Sequence, residues 1–125
     1  MDGLNEEAFS IQDLNEGSPR AFKELFFQYY PEFFSFAYSL LGDQASARSN
    51  TTSAFFLLWK KRIYFDNDKD GKAFLYNTIR TSCFNYLNYR QKNPDVKEYL
   101  PGIKMDGAFP EETLQELLAY VARVT

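Results

Sequence analysis

The chain has 125 residues, of which 45% are hydrophobic and 25% are charged, the balance of one ordinary globular domain. It has no histidine and one cysteine, which excludes an internal disulfide, a Cys/His zinc cluster and a histidine general base. We therefore expect a protein that is not an enzyme and holds no metal or cofactor. The apolar runs are too short for a membrane span and the N-terminus is acidic, which indicates a cytoplasmic protein.

Charge is distributed unevenly along the chain. Residues 1–59 have a net charge of −5 and residues 93–125 have one of −3. Residues 60–92 instead have eight basic residues against three aspartates, a net charge of +5. Such a segment is typical of a surface that binds phosphates, because lysine and arginine displace the counterions condensed on a nucleic acid. A solvated helix face would produce the same pattern.

Hydrophobic residues recur at intervals of three and four nearly everywhere, and no segment alternates as a strand does. The sequence therefore predicts an all-α helical bundle. A first helix is expected over about residues 5–14, ended by Gly17. A second is expected over residues 19–41, with Ser18 as its N-cap. Pro31 lies inside this second helix and should kink or interrupt it, because proline lacks the N–H that a helix uses.

Two longer helices follow in the predicted order. The third spans about residues 44–62 and is capped by Asp43. Its first half is rich in serine, asparagine and threonine, which compete for backbone hydrogen bonds, so tertiary packing has to hold it helical. The fourth spans residues 71–92 and is capped by Asp68 or Asp70. Its expected buried stripe consists of Leu75, Ile79, Cys83, Tyr86 and Leu87.

The composition and hydrophobic periodicity of the sequence change after residue 92. Residues 93–110 contain several prolines and glycines with little periodicity, which predicts a linker. Residues 111–125 regain helical spacing and indicate the start of a linker helix that leads towards a further domain. The expected organisation is one helical domain over residues 1–92, a linker, and the beginning of that helix.

Six short runs occur in a fixed order along the first four predicted helices. They are residues 21–26, 29–31, 36–38, 41–43, 55–59 and 72–76, which read AFKELF, YYP, FAY, LGD, FFLLW and KAFLY. Their order and spacing, over about residues 8–92, resemble region 2 of the extracytoplasmic-function subgroup of sigma-70 transcription initiation factors. Region 2 is the promoter-melting domain of that family and is a bundle of helices.

The resemblance implies two binding activities and their partners. One helix of region 2 docks on the clamp helices of the largest subunit of core RNA polymerase. The last helix and the loop before it capture the unpaired non-template strand of the minus-ten element in promoter DNA. An anti-sigma factor is a further candidate partner.

The resemblance places the DNA contacts in the fourth predicted helix. The basic residues there are suited to phosphates, Tyr76 and Phe84 to base stacking, and Asn85 to a base edge. Thr81 stands where the family often has asparagine. The expected DNA-binding residues are Lys72, Tyr76, Arg80, Thr81, Phe84, Asn85, Arg90 and Lys92.

The third predicted helix departs from the family at the polymerase-docking positions. The family reads approximately acid, aliphatic, aliphatic, Gln, Glu, aliphatic, Phe, whereas residues 49–55 read SNTTSAF. A hydroxyl cannot replace a carboxylate that pairs with a clamp arginine, so polymerase affinity is expected to be weak or altered. The expected polymerase-binding residues are Ser49, Thr52, Ser53, Phe55 and Phe56. The helix-turn-helix that reads the minus-thirty-five element in the family has no counterpart in this sequence.

Two other classes of protein are compatible with these residues. A divergent sigma-like regulator would keep the fold and act as a protein-interaction module without initiation activity. A calcium-binding loop is suggested by the alternating Asp66, Asp68 and Asp70, but Asn77 stands where such a loop ends in glutamate. A capping and solubility role explains these aspartates more simply.

Overall fold

The structure is a computed structural model that describes residues 11–61, 65–94 and 109–125. These residues form five helices: α1 (Ile11–Asn15), α2 (Pro19–Leu41), α3 (Gln44–Lys60), α4 (Asp68–Lys92) and α5 (Glu111–Val124). No β-strand occurs among them, so the predicted all-α class is confirmed. None of the helices in these ranges combines the length and the hydropathy of a membrane-spanning segment.

Parts of three predicted segments lie outside the described residues. These parts are residues 1–10 of the first helix region, residues 62–64 at the end of the third helix, and residues 95–108 of the linker. The remaining boundaries of α2, α3 and α5 agree with the sequence pattern within a residue or two.

Local signals set the ends of α2 and α3. The Ser18 hydroxyl accepts a hydrogen bond from the N–H of Ala21 at 3.1 Å, which caps the start of α2. Gly42 ends α2 with a φ of 69°, a left-handed conformation that glycine adopts without steric cost. The Asp43 carboxylate accepts a hydrogen bond from the N–H of Ser46 at 2.9 Å and begins α3. These predictions from the sequence are confirmed.

Helix α2 continues through Pro31 without interruption. On either side of the proline, Tyr30 and Phe33 are fully buried and their rings lie 5.7 and 6.0 Å from the ring of Phe55. A proline inside a helix costs about 3 kcal/mol, and burial of these two rings supplies a comparable free energy. Aromatic packing therefore holds α2 together where the sequence predicted a possible break.

Helix α2 contacts each of the other four helices. Helix α3 runs antiparallel to it, since Phe22 near the start of α2 lies 5.5 Å from Trp59 and Tyr30 further on lies 2.9 Å from the hydroxyl of Thr52. The core between these helices is largely aromatic. Its fully buried aromatic residues are Phe22, Phe26, Tyr30, Phe33 and Phe55.

Helix α5 belongs to the same core as the first four helices. Phe109 is buried just before it and makes an edge contact with Trp59 at 4.9 Å between ring centroids. Leu117 is fully buried, and the Tyr120 hydroxyl donates a hydrogen bond to the carbonyl of Phe27 at 2.9 Å. The domain therefore does not end with α4, because the apolar stripe of α5 is covered by α2.

The start of α4 differs from the predicted one. The helix begins at Asp68, and its N-cap is Asn67, which accepts a hydrogen bond from the N–H of Asp70 at 3.0 Å. The caps predicted at Asp68 or Asp70 are wrong, because asparagine caps a helix as well as aspartate does. The amide of Asn15 donates to the Phe65 carbonyl and accepts from its N–H, at 2.8 and 3.0 Å, which ties this start to α1.

Gly71 lies in the first turns of α4, and its replacement by alanine is expected to stabilise the protein. A Cβ there would lie 3.5 Å from the ring of Phe65, an ordinary contact distance. We expect Gly71→Ala to raise the free energy of unfolding by about 0.5–1 kcal/mol, measured by urea denaturation, because glycine is a poor helix former. Gly42→Ala is the control and should lower it, since alanine resists a φ of 69°. A loss of stability in Gly71→Ala would contradict this account of the start of α4.

Candidate nucleic-acid interface

A polar seam between α3 and α4, formed by the buried Ser46, Asn50 and Tyr86 and the half-buried Ser82, determines which way α4 faces. The Ser46 hydroxyl donates to the hydroxyl oxygen of Tyr86 at 2.8 Å. The Asn50 amide donates to the Ser46 carbonyl at 2.8 Å, and its oxygen accepts a hydrogen bond from the Ser82 hydroxyl. Because Ser82 and Tyr86 are held inwards, the opposite side of α4 faces solvent.

The seam also explains how the polar first half of α3 is helical. Asn50 and Thr51 are fully buried, at the two positions where the family pattern has aliphatic residues. Asn50 satisfies both ends of its amide, whereas the Thr51 hydroxyl has no hydrogen-bond partner among the described residues. Tertiary packing holds this half of α3 helical, as the sequence predicts.

The two buried residues are expected to respond in opposite ways to substitution. Asn50→Ala should lower the free energy of unfolding by about 1–3 kcal/mol, because it opens a cavity at a fully buried position and removes the hydrogen bonds with the Ser46 carbonyl and the Ser82 hydroxyl. Thr51→Val should raise it by about 1 kcal/mol, because it removes a buried hydroxyl without a partner and keeps the shape of the side chain. Chemical denaturation of both variants measures the difference. Equal destabilisation by both would show that the seam has no special role.

The side of α4 opposite the seam is called the outer face here. Its exposed residues are Asn77, Arg80, Thr81, Phe84, Asn85, Asn88 and Lys92. Phe84 is 50% exposed, an unusual fraction for a phenylalanine, and it lies one turn after Arg80. The Arg80 guanidinium donates to the Asn77 amide oxygen at 2.9 Å. The outer face contains two basic side chains, those of Arg80 and Lys92, and no acidic one, so this face is positive.

The last turns of α4 extend past its neighbours among the described residues. Tyr86 is the last buried residue of the helix, and residues 87–92, including Arg90 and Lys92, are all exposed. Leu87 is 36% exposed, so its predicted place in the buried stripe is wrong. Helix α3 runs antiparallel to α4, so its first residues lie beside the second half of α4. Because α3 begins at Gln44, only two residues before Ser46 contacts Tyr86, it does not extend far enough to cover Leu87.

Tyr76 is half-buried and packs against α2. Its ring lies 4.6 Å from Phe33 and 5.1 Å from Phe36, in edge contacts. Its hydroxyl donates to the Glu32 carboxylate at 2.5 Å, and this hydrogen bond raises the pKa of Tyr76. The ring of Tyr76 is therefore partly covered by α2, and its role in base stacking stays a prediction.

Lys72 is also engaged by α2. Its ammonium lies 3.6 Å from the Glu32 carboxylate and 5.1 Å from the centre of the Tyr29 ring. Glu32 thus contacts both Lys72 and Tyr76, a role that the sequence pattern does not indicate. No local signal identifies Glu32, because α2 and α4 come together only in the folded chain.

The predicted polymerase-binding residues divide into two groups. Phe55 and Phe56 are buried in the core, so their predicted contact with a partner is corrected. The apolar half of α3 packs on α2, which leaves no surface at these positions. The remaining residues Ser49, Thr52 and Ser53 are half-buried.

Thr52 already has a partner within the bundle. Its hydroxyl lies 2.9 Å from the Tyr30 hydroxyl, which in turn donates to the carbonyl of Arg48 at 3.3 Å. Since a tyrosine hydroxyl has one proton, Thr52 is the donor in the first of these contacts. Burial raises the pKa of Tyr30 to about 12, so the phenol stays protonated and the contact is insensitive to pH near neutrality.

Comparison of the chain with protein-family models, curated proteins and solved structures finds no match in any of the three.

Within the described ranges, no group of three or more histidine, cysteine or acidic side chains is arranged to hold a metal ion. Asp66 and Asp70 lie in the exposed turn and first turn at the start of α4.

Proposed function

We propose that the chain is a cytoplasmic sigma-type transcription factor domain that binds an unpaired DNA strand along the outer face of α4. The observation that carries the proposal is the combination found there: a helix without acids from residue 71 to residue 92, with Arg80, Phe84 and Asn85 exposed on one side. Region 2 of the extracytoplasmic-function sigma factors, which the sequence resembles, uses its last helix for this purpose.

The chemistry of the outer face suits a single strand better than a duplex. Arg80 supplies a charge for a phosphate, and the exposed ring of Phe84 is available to stack on a base that has left its neighbours. The amide of Asn85, on the next residue, has a donor and an acceptor for a base edge. From Arg80 to Lys92 the helix rises about 18 Å, enough to contact several consecutive nucleotides.

Polymerase docking rests on fewer groups. Of the five residues expected to contact the clamp helices, only Ser49 and Ser53 are neither buried nor engaged by Tyr30. Both present hydroxyls where the family has carboxylates. We propose that the chain docks on core RNA polymerase through this part of α3 with an affinity below that of the acidic family members.

Two substitutions on the outer face are expected to weaken strand binding in different ways. Arg80→Ala should reduce affinity and reduce the slope of log affinity against log salt by about 0.7, because one phosphate contact is lost. Phe84→Ala should cost about 1–3 kcal/mol of binding free energy with an unchanged salt slope, because it removes stacking alone. Fluorescence anisotropy with a labelled minus-ten non-template oligonucleotide, over a salt series, measures both quantities.

Arg20→Ala is the matched control for Arg80→Ala. It removes the same charge from a side chain that is 84% exposed on α2, away from the outer face. It should leave the affinity close to that of the wild type. No binding of the wild-type protein at low salt, or equal effects of Arg20→Ala and Arg80→Ala, would contradict the proposed interface.

A second candidate function is a protein-interaction module that lacks initiation activity. It is favoured by the absence of acidic groups at Ser49 and Ser53, and by Leu87 and Phe84, whose exposed apolar surface suits a protein partner. Restoring the acids with Ser49→Asp and Ser53→Glu distinguishes the two candidates in a pull-down with core polymerase. If the wild type already binds polymerase and the restored variant gains nothing, the second candidate is wrong.

A further inference from the structure

Glu32 is the one acidic side chain of α2 that contacts the DNA-binding residues expected in the first half of α4. A single oxygen of its carboxylate accepts the hydrogen bond from Tyr76 at 2.5 Å and lies 3.6 Å from the ammonium of Lys72. The Lys72 ammonium also lies over the ring of Tyr29. Lys72 is thereby held against α2, while Arg80, two turns further along, lies exposed.

A carboxylate and a phosphate present the same kind of ligand to a lysine, namely anionic oxygens. A phosphate that approached Lys72 would have to displace Glu32 or lie beside it, and in both cases the two anions repel each other. The Glu32 side chain is 40% exposed, so this repulsion acts at a surface that a nucleic acid can reach. Lys72 is therefore poorly placed to bind a phosphate. The other lysine in the first two turns of α4, Lys69, stands between Asp68 and Asp70 in the sequence, whose negative charges also oppose a phosphate.

We propose that Glu32 is a specificity-determining residue of the interface: it withholds Lys72 from phosphate and confines strand binding to the part of the outer face from Arg80 onwards. This inference rests on the proposed function and deepens it, because it sets the length of strand that the domain contacts. It predicts that Lys72 can bind a phosphate once the charge of Glu32 is removed by substitution.

The substitution that tests this is Glu32→Gln. Glutamine removes the charge and keeps an oxygen that accepts the hydrogen bond from Tyr76, so the packing of the Tyr76 ring is preserved. Affinity for a short single-stranded oligonucleotide is expected to rise by up to about fivefold at low salt, the range found for exposed charge pairs. The slope of log affinity against log salt should steepen by about 0.7, the value of one further phosphate contact on a single strand.

Two further variants separate this effect from a general change of charge. Glu24→Gln removes the same charge from α2 at a carboxylate that pairs with Arg20 at 3.5 Å, and it should change neither affinity nor slope to this extent. Adding Lys72→Ala to Glu32→Gln should cancel the gain. Tyrosine absorbance titration of Glu32→Gln against the wild type checks that the contact is present, since loss of the carboxylate should lower the pKa of Tyr76.

The outcomes distinguish this inference from the proposed function. If the wild type binds the oligonucleotide and Glu32→Gln matches Glu24→Gln in affinity and slope, the role of Glu32 is wrong and the interface stands. If only Glu32→Gln binds, Glu32 does withhold Lys72 from phosphate, but native strand binding and its confinement to the face from Arg80 onwards are both wrong. If no variant binds at the lowest salt, both are contradicted.

Discussion

The rotation of α4 about its own axis is the constraint on which the proposed interface depends. Successive residues of an α-helix are about 100° apart, so a rotation by one residue position would bring Arg80 to the place of Ile79 and turn part of the core stripe outwards. The contacts of Ser82 with Asn50 and of Tyr86 with Ser46 prevent this, because each would leave a buried polar atom unpaired if broken. Apolar packing alone would tolerate such a rotation more readily, since it has no directional requirement.

The aromatic core has a related consequence. Helix α2 carries a series of rings that pack on α3, α4 and α5 at once, and this shared packing carries the helix through Pro31. The same packing also occupies aromatic side chains that the sequence suggested as binding residues. Tyr76, Phe55 and Phe56 all have the character of binding residues, and all three are occupied by the core or its edge. Phe84 differs from these three residues in its exposure to solvent, and this difference makes it the better candidate for contact with a partner.

Local features of the fold were predictable from the sequence. Ser18, Gly42 and Asp43 act through hydrogen bonds and dihedral angles within a few residues, and the sequence shows all of these signals directly. The inward stripe of α4 through Leu75 and Ile79 follows from helical periodicity. The cap at Asn67 was missed because several residues of that loop have equal capping ability.

Features that depend on contacts between distant segments were not predictable. Glu32 and Lys72 are forty residues apart, and α5 returns to α2 after a segment with little periodicity. Leu87 fits the apolar spacing of α4 and is nevertheless exposed, because α3 is too short to pack against that part of α4. Such outcomes depend on the relative lengths and directions of helices, which a single sequence does not display.

The central claim is that an unpaired strand binds along the outer face of α4. Its most direct test is an NMR titration of the isotope-labelled full chain with a single-stranded oligonucleotide and with the duplex of the same sequence. The account predicts that the single strand shifts the backbone amide signals of Arg80 to Lys92 and leaves those of α5 in place, with smaller shifts for the duplex. Shifts confined to α2 and α5, or an α4 spectrum that does not respond, would contradict it.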